Sequence, residues 1–209
     1  MRERPIRLKA HEVRAILSGA KTQTRRAVKP RYSWQLEERD DGSLWPWYPD
    51  YVTGGEWDGW VPCPFGQPGD RLWVRETTHV DRTTSDSAEL ARYSADQEPV
   101  CYPTGTGNGY DGAWQLWWYT RDTCPNIHMP RSACRLLLEI TDVRVERLHA
   151  ISEADALAEG VAPSSVEGFA NARVERPAGF AFRDIWTSTG GDWDANPWVW
   201  VIGFKQVTP

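Results

Sequence analysis

Apolar and polar positions recur along the chain with two different periods, which predict helices and strands respectively. In residues 10–18 the apolar side chains recur at helical spacing, and Gly19 is typical of the residue that follows a helix end. Residues 71–78 follow a turn-forming QPGD sequence and alternate like a strand. Residues 134–148 form the strongest strand candidate, because aliphatic and β-branched side chains dominate there.

The last third of the chain continues this mixture. Residues 152–160 predict a short helix, because Ser152 and Asp155 make an N-terminal capping signature and a glycine closes the segment. Residues 180–188 predict another helix, and residues 197–207 predict a terminal strand. Strands in both halves with short helices between them indicate a small β-barrel or another α+β domain. The regular βαβ alternation of a dinucleotide-binding fold is missing from the sequence.

Two long stretches interrupt the pattern and are predicted to be insertions. Residues 31–66 are rich in proline, glycine, aspartate and aromatic residues, and residues 80–130 mix weak strands with a turn-rich TGTGNGYDG sequence. The 209 residues suffice for one domain that carries both insertions. Thirteen tryptophans are unusually many, and several cluster in the insertions. Tryptophan packs protein cores and also stacks on flat rings, so packing and ligand binding both remain open for them.

Composition and charge limit the possible partners. No run of 18 apolar residues predicts a membrane span, and the charged N-terminus lacks the apolar core of a secretion signal. Four irregularly spaced cysteines indicate reduced thiols, so we expect a cytoplasmic protein. The net charge of -5 argues against a general nucleic-acid binder. Residues 1–31, however, carry ten cationic against two acidic residues, which is compatible with a local anion site.

The segment GAKTQTRR, residues 19–26, concentrates candidate chemistry behind a glycine. A threonine hydroxyl such as that of Thr24 becomes a nucleophile when a base removes its proton, and Lys21 could be that base if burial and nearby cations lower its pKa. The alternative is a basic loop whose threonines cap turns, or a patch that grips phosphate.

Glu159 lies in the last turn of a predicted helix, where the helix dipole disfavours a carboxylate. A lysine ammonium as partner would offset this cost, and lysine, threonine and glutamate could then act as base, nucleophile and orienting group. The alternative is an ordinary solvated glutamate. The four histidines lack metal-ligand spacing, and Cys124 with His128 is a pair too small for a zinc site, so we expect neither metal nor cofactor.

Four blocks of the chain resemble the ASCH superfamily, whose members are compact β-barrels related to PUA domains. The blocks are ILSGAKTQTRR, PGDRLWVRET, LLLEITDVRVERLHAISEADALAEGV and WVWVIGFKQV, which together cover roughly a third of the chain in family order. The motif G-x-K-T-x-T-x-R is the family signature. The resemblance implies an α+β fold, a small PUA-like β-barrel with short flanking helices, here with long Trp-rich insertions as in phage-type members.

The resemblance also implies an activity. Some small ASCH proteins are amidohydrolases that remove the acyl group from N4-acetylcytidine and related N4-acylated cytosines. Lys21 and Thr24 match the catalytic lysine and threonine of these enzymes, and Glu159 lies in register with their catalytic glutamate. Arg26 matches the signature arginine and would hold an anionic or carbonyl group. The partner would be a small modified cytosine nucleoside.

Two further residues are candidates for substrate binding. Trp73 could stack on the cytosine ring, and Glu76 could bind its exocyclic edge. The chain departs from the family pattern where Gly203 replaces an expected acidic residue and where Arg25 directly precedes the signature arginine. A non-enzymatic reader of RNA or of modified DNA bases, and a ribonuclease, therefore remain alternatives to the amidohydrolase.

Overall fold

A computed structural model describes residues 1–29, 32–49, 59–105, 107 and 109–208. The chain divides into two compact units. The first unit comprises Met1–Gly19, Gly69–Glu139 and Lys205–Pro209, and the second comprises Ala20–Pro68 and Ile140–Phe204. Each unit is described separately below.

The described residues contain ten strands and four α-helices. The strands are β1 (Glu3–Arg7), β2 (Gln23–Ala27), β3 (Gln35–Glu38), β4 (Leu44–Trp47), β5 (Arg71–Arg75), β6 (Thr78–Asp81), β7 (Leu90–Tyr93), β8 (Thr123–Cys124), β9 (Leu137–Arg147) and β10 (Trp198–Val207). The helices are α1 (Ala10–Leu17), α2 (Glu153–Ala158), α3 (Pro163–Asn171) and α4 (Pro177–Ser188). The predicted mixture of helices and strands is confirmed. The closed barrel stays a prediction, because no sheet in the described residues closes on itself.

The first unit contains two sheets. In one, β1 pairs in parallel with β5, and β5 pairs antiparallel with the beginning of β9. In the other, β6 lies between β7 and β8 with antiparallel pairing on both sides. The predicted insertion of residues 80–130 thus supplies most of this second sheet, whose strands are short and therefore gave only a weak signal in the sequence.

The second unit holds β2 at the edge of a sheet in the order β9-β10-β2, with β10 and β2 antiparallel. Helices α2, α3 and α4 belong to this unit, and α4 packs against both of the others. The apolar core beneath β10 gathers side chains from these helices and from the strand, among them Ala156, Ala181, Phe182, Val199 and Val201. This core positions the end of α2 beside β2.

The first predicted insertion, residues 31–66, also belongs to the second unit. Its β3 and β4 form an antiparallel hairpin, and Trp45 of β4 is buried with its indole N–H donated to the carbonyl oxygen of Val61. Trp45 and Trp60 therefore take part in packing, since Trp60 also meets Trp47 edge to face at 4.7 Å. Residues 50–58 of the insertion, with their aromatic side chains, lie outside the described residues.

The elements predicted from periodicity are confirmed with small shifts of their ends. The helix predicted over residues 10–18 is α1, the strands predicted over 71–78, 134–148 and 197–207 are β5, β9 and β10, and the helix predicted over 180–188 is α4. In the described part of the chain, no helix is both long and apolar enough to cross a membrane.

Candidate active site

Strand β2 presents the signature residues on two opposite faces. Successive side chains of a strand point to opposite sides, so Gln23 and Arg25 share one face and Thr24 and Arg26 share the other. The antiparallel register with β10 sets Thr24 opposite Ile202 and Arg26 opposite Trp200. The side chains of the signature segment therefore lie on two different faces of β2, with different neighbours.

Glu159 is fixed by the end of helix α2. The Oγ of Ser152 accepts a hydrogen bond from the backbone N–H of Asp155 at 3.0 Å, which confirms the predicted capping contact at the helix start. Gly160 follows Glu159 with a φ of +81°, a left-handed conformation that glycine adopts without strain and that is common after a helix end. An isolated antiparallel bridge then joins Glu159 to Lys21, just before β2.

Lys21 and Glu159 form a buried ion pair. The Lys21 Nζ donates to Glu159 Oε2 at 2.9 Å and to the Glu159 backbone oxygen at 2.9 Å. Lys21 and Glu159 are only 3% and 5% exposed. The carboxylate at the C-terminal end of α2 thus has the ammonium partner that the sequence predicted for it.

Arg25 holds the second oxygen of the same carboxylate. Its Nη1 donates to Glu159 Oε1 at 3.2 Å, while its Nη2 lies 3.1 Å from Glu146 Oε2 and 3.3 Å from Asp155 Oδ2. The Arg25 side chain has no exposed surface, and its guanidinium carbon lies 5.9 Å from the centre of the Phe182 ring. Glu159 is therefore held between two cations, one on each carboxylate oxygen.

A second arginine extends this network towards solvent. Arg144 of β9 pairs with Glu146 at 2.6 Å and with Asp155 at 3.2 Å. Burial acts to raise the pKa of Asp155, but the hydrogen bond from Ser152 and the charges of Arg25 and Arg144 outweigh it and hold that pKa below its usual value. The cluster is thus one of ionised carboxylates and guanidinium groups.

Thr24 lies on the other face of β2 and is completely buried. Its Oγ1 accepts a hydrogen bond from Arg26 Nη1 at 2.7 Å, and the same Arg26 nitrogen donates to the Arg25 backbone oxygen at 2.9 Å. Trp200, opposite Arg26, meets Trp45 edge to face with ring centres 5.0 Å apart. The hydroxyl is therefore buried and held beside the guanidinium of Arg26.

The two other predicted substrate-binding residues, Trp73 and Glu76, belong to the first unit. The Trp73 ring has the guanidinium carbons of Arg75 and Arg131 at 5.3 Å and 6.0 Å from its centre. Glu76 is 1% exposed, and both of its carboxylate oxygens accept hydrogen bonds from Arg135 at 2.9 Å and 2.8 Å. Burial raises the pKa of Glu76, although Arg135 opposes that shift. Binding of a base by Glu76 would require this pair to open.

Among the residues that the structure describes, no three histidine, cysteine, aspartate or glutamate side chains gather into an arrangement that could hold a metal ion. The Nε2 of His149 lies 2.8 Å from the backbone oxygen of Trp193, and the ring of His128 stacks on Tyr119. These histidines have structural contacts of their own.

One solved structure is similar to this chain. No family model matches the chain, and no curated protein matches it. Among solved structures, the chain is similar to the crystal structure of an ASCH domain from Lactobacillus crispatus, with 16% identity, 94% of this chain and 70% of that chain covered, and a TM-score of 0.33. A likeness with this identity and TM-score does not establish the family or the function. The resemblance to the ASCH superfamily therefore still depends on the sequence motifs.

Sequence reasoning missed the acidic partners of Arg25. Glu146 is not among the sequence-based candidates, and Asp155 is predicted only as part of the helix cap, although it lies one helical turn before Glu159 and therefore on the same side of α2. Glu139 of β9 pairs with Lys205 of β10 at 2.8 Å. The alternation of side chains along β2 is the sequence feature that could have indicated separate partners for Arg25, since it sets Arg25 on the opposite face from Thr24.

Proposed function

We propose that the protein is an ASCH-type amidohydrolase that removes the acyl group from N4-acylated cytosine nucleosides. The proposal is carried by the buried pair between Lys21 and Glu159, with Nζ and Oε2 2.9 Å apart, in the segment that also contains Thr24. Two of the three residues that the resemblance implies for catalysis, 138 positions apart in the chain, are thus in direct contact.

The first step would be acylation of Thr24. Its Oγ1 attacks the carbonyl carbon of the N4-acyl group, and the hydroxyl proton passes to Lys21, which must first lose the proton that it holds in the ion pair with Glu159. The bond between that carbon and N4 then breaks, and N4 receives the proton from Lys21 as cytidine leaves. The acyl group remains bound to Thr24 as an ester.

The second step would be hydrolysis of this ester. Lys21 removes a proton from water, the hydroxide attacks the ester carbonyl, and the Thr24 oxygen leaves with the proton, which releases the carboxylic acid. Arg26 already donates to the Thr24 oxygen, so it is suited to stabilise negative charge that develops next to that atom. Glu159 would orient Lys21 in both steps.

Access to the nucleophile sets a requirement on this mechanism. Thr24 has no exposed surface in the structure, so a substrate reaches its hydroxyl only after neighbouring side chains or chain segments have moved aside. The same opening would have to bring the Lys21 amine to the Thr24 hydroxyl, because Lys21 contacts Glu159 on one side of β2 and Thr24 contacts Arg26 on the other. The turnover number would then include an opening step as well as the chemistry.

The test is hydrolysis of N4-acetylcytidine by the purified protein, followed as formation of cytidine and acetate. Thr24→Val removes the hydroxyl with little change of shape, and Lys21→Met removes the base. We expect each variant to lower kcat by at least about a hundredfold, because positioned acid–base groups contribute about 10²–10⁴-fold. Thr22→Val is the matched control, since Thr22 lies in the same segment but is exposed.

Full activity in Thr22→Val together with its loss in Thr24→Val would support the assignment. Absence of turnover by the wild-type protein, or equal turnover in Thr24→Val, would reject it. Circular dichroism spectra of all variants show whether a loss of activity reflects a loss of fold.

The second candidate is a non-enzymatic reader of nucleic acid. It is favoured by the half-buried ring of Trp73, which has the guanidinium groups of Arg75 and Arg131 near it, because base stacking with adjacent cations is common in single-strand binding. Binding of an oligonucleotide with modified cytosines that weakens steeply with salt, without hydrolysis, would favour this function. Trp73→Ala should then weaken that binding.

A further inference from the structure

The second unit contains a pocket that the proposed catalysis does not use. It is a small cleft of about 90 Å³ that is partly open to solvent, and its walls include His149, Trp193, Phe180, Arg176 and Arg183. Ligand pockets in proteins span about 300–1,000 Å³, so a ligand of nucleotide size would fill this smaller cleft and extend from its open side into solvent. Neither Lys21, Thr24 nor Glu159 lines it.

One wall of the pocket is a fixed aromatic pair. The rings of His149 and Trp193 stack with their centres 4.6 Å apart at 29°. His149 is held at two points, because its Nε2 bonds the Trp193 backbone oxygen at 2.8 Å and its backbone N–H donates to Asn196 Oδ1 at 2.9 Å. A flat ligand ring would meet an aromatic surface that is already ordered.

Two arginines supply the charge. Arg176 donates to the backbone oxygen of Ile151, and within the described residues it forms no ion pair with a carboxylate. Arg183 lies over the Phe180 ring at 4.7 Å and has only a 3.4 Å pair with Asp184, whose side chain is 59% exposed. Exposed pairs of this kind are worth little, so both guanidinium groups can bind an anion.

The start of helix α4 does not itself provide the anion site. The carboxylate of Glu153 already accepts hydrogen bonds from the backbone N–H groups of Ala178 and Gly179, at 2.9 Å and 2.8 Å. An anion in the pocket would therefore bind through the arginine side chains. Guanidinium groups bind phosphate with paired, charge-assisted hydrogen bonds, which favours a phosphate over a single point charge.

We propose that this pocket binds a mononucleotide, with its base against the Trp193 wall and its phosphate on Arg176 and Arg183. The proposal is independent of the amidohydrolase activity. Aromatic carboxylates share part of this chemistry, but a ligand that uses both arginines and the aromatic wall needs a flat ring and a phosphate in one molecule.

Isothermal titration calorimetry with adenosine 5′-monophosphate tests the proposal, with adenosine and inorganic phosphate as separate probes. An adenine nucleotide carries no cytosine, so it is not a substrate analogue of the proposed hydrolysis. We expect one binding site per chain, and we expect adenosine and phosphate each to bind at least about tenfold more weakly.

Variants assign the binding to this pocket. Arg176→Gln and Arg183→Gln should each raise the Kd for the nucleotide about tenfold, because each removes a charge-assisted hydrogen bond. Arg173→Asn is the matched control, since Arg173 is exposed and has a φ of +58°, which asparagine tolerates. Thr24→Val should bind the nucleotide as the wild-type protein does.

Several results would overturn the proposal. These are the absence of saturable binding by the wild-type protein, unchanged affinity in both arginine variants, or adenosine or phosphate binding as tightly as the nucleotide. Loss of binding in Thr24→Val with retention in the arginine variants would also overturn it. None of these results bears on hydrolysis of N4-acetylcytidine, which is measured separately.

Discussion

Replacing Arg25 with methionine should destabilise the protein strongly, because this arginine is buried among three carboxylates. Its side chain has no exposed surface, and its nitrogens lie 3.1–3.3 Å from the oxygens of Glu146, Asp155 and Glu159. One such pair at about 3.2 Å is worth roughly 5 kcal/mol at an effective dielectric constant of about 20. Desolvation of the guanidinium offsets several kcal/mol of the total attraction.

The expected loss in the free energy of unfolding is about 3–5 kcal/mol, which is usual when one partner of a buried ion pair is removed. Methionine fills much of the volume of the arginine stem, so the loss would reflect charge more than a cavity. Lys21 would remain as a partner of Glu159, which keeps the loss below that of a wholly unpaired buried carboxylate.

Arg144→Met is the matched control. Arg144 also contacts Glu146 and Asp155, at 2.6 Å and 3.2 Å, but its side chain is 35% exposed. Partly exposed pairs contribute about 1 kcal/mol or less. Both variants remove a positive charge from Glu146 and Asp155, and they differ in burial and in the third carboxylate, which is Glu159 for Arg25 and Asp142 for Arg144.

Urea unfolding followed by circular dichroism measures the free energy of unfolding of both variants. A third variant, Arg25→Lys, keeps the positive charge but loses the planar guanidinium group with its several N–H donors. We expect Arg25→Lys to lie between the wild-type protein and Arg25→Met, because an ammonium cannot bond the three carboxylates in the same geometry. A loss of less than about 1 kcal/mol in Arg25→Met, or a loss equal to that of Arg144→Met, would refute the importance of burial.

Two further predictions concern the helix cap and an acid-sensitive carboxylate. Ser152→Ala should lower the free energy of unfolding by about 1 kcal/mol in the same urea assay, because the backbone N–H of Asp155 loses its acceptor, and an unchanged value would contradict this cap. Asp81 accepts hydrogen bonds from Arg92 and two threonines, which together hold its pKa far below the usual range. Its contribution is therefore present above the unfolded pKa of about 4 and is lost as the pH falls below that value. Urea midpoints between pH 6 and pH 3 should fall more steeply for the wild-type protein than for Asp81→Asn, and parallel curves would exclude this role.

The sequence predicted those elements whose side chains alternate between a buried and an exposed side. β5 and α1 have this periodicity, and both begin where predicted, although α1 ends one residue and β5 three residues before the predicted end. Helix α3 was missed because only Val166 and Phe169 pack against the core, and both are only partly buried, so its apolar stripe is too short to give a clear helical period. The hairpin of β3 and β4 was missed for a related reason, since β3 is mostly exposed and polar.

The candidate site was predictable only in part. The cost of a carboxylate at the end of α2 indicated a cationic partner for Glu159, and the pair with Lys21 is present. The catalytic roles of Lys21, Thr24 and Glu159 remain a proposal. The partners of Arg25 could not be predicted, because Glu146 lies 121 positions away and only the pairing of distant strands brings the two together.

The distribution of charge around β2 bears on how the signature segment can work. Four cations within residues 19–29 would repel one another if they formed one patch. Strand alternation divides three of these cations between two sides, because Lys21 and Arg25 contact the carboxylate of Glu159 on one side while Arg26 donates to Thr24 on the other. A grip on phosphate needs several cations on one face with donors to spare, and here the Arg25 guanidinium is already committed to carboxylates. The arrangement therefore argues against a single patch of four cations that binds a nucleic-acid backbone.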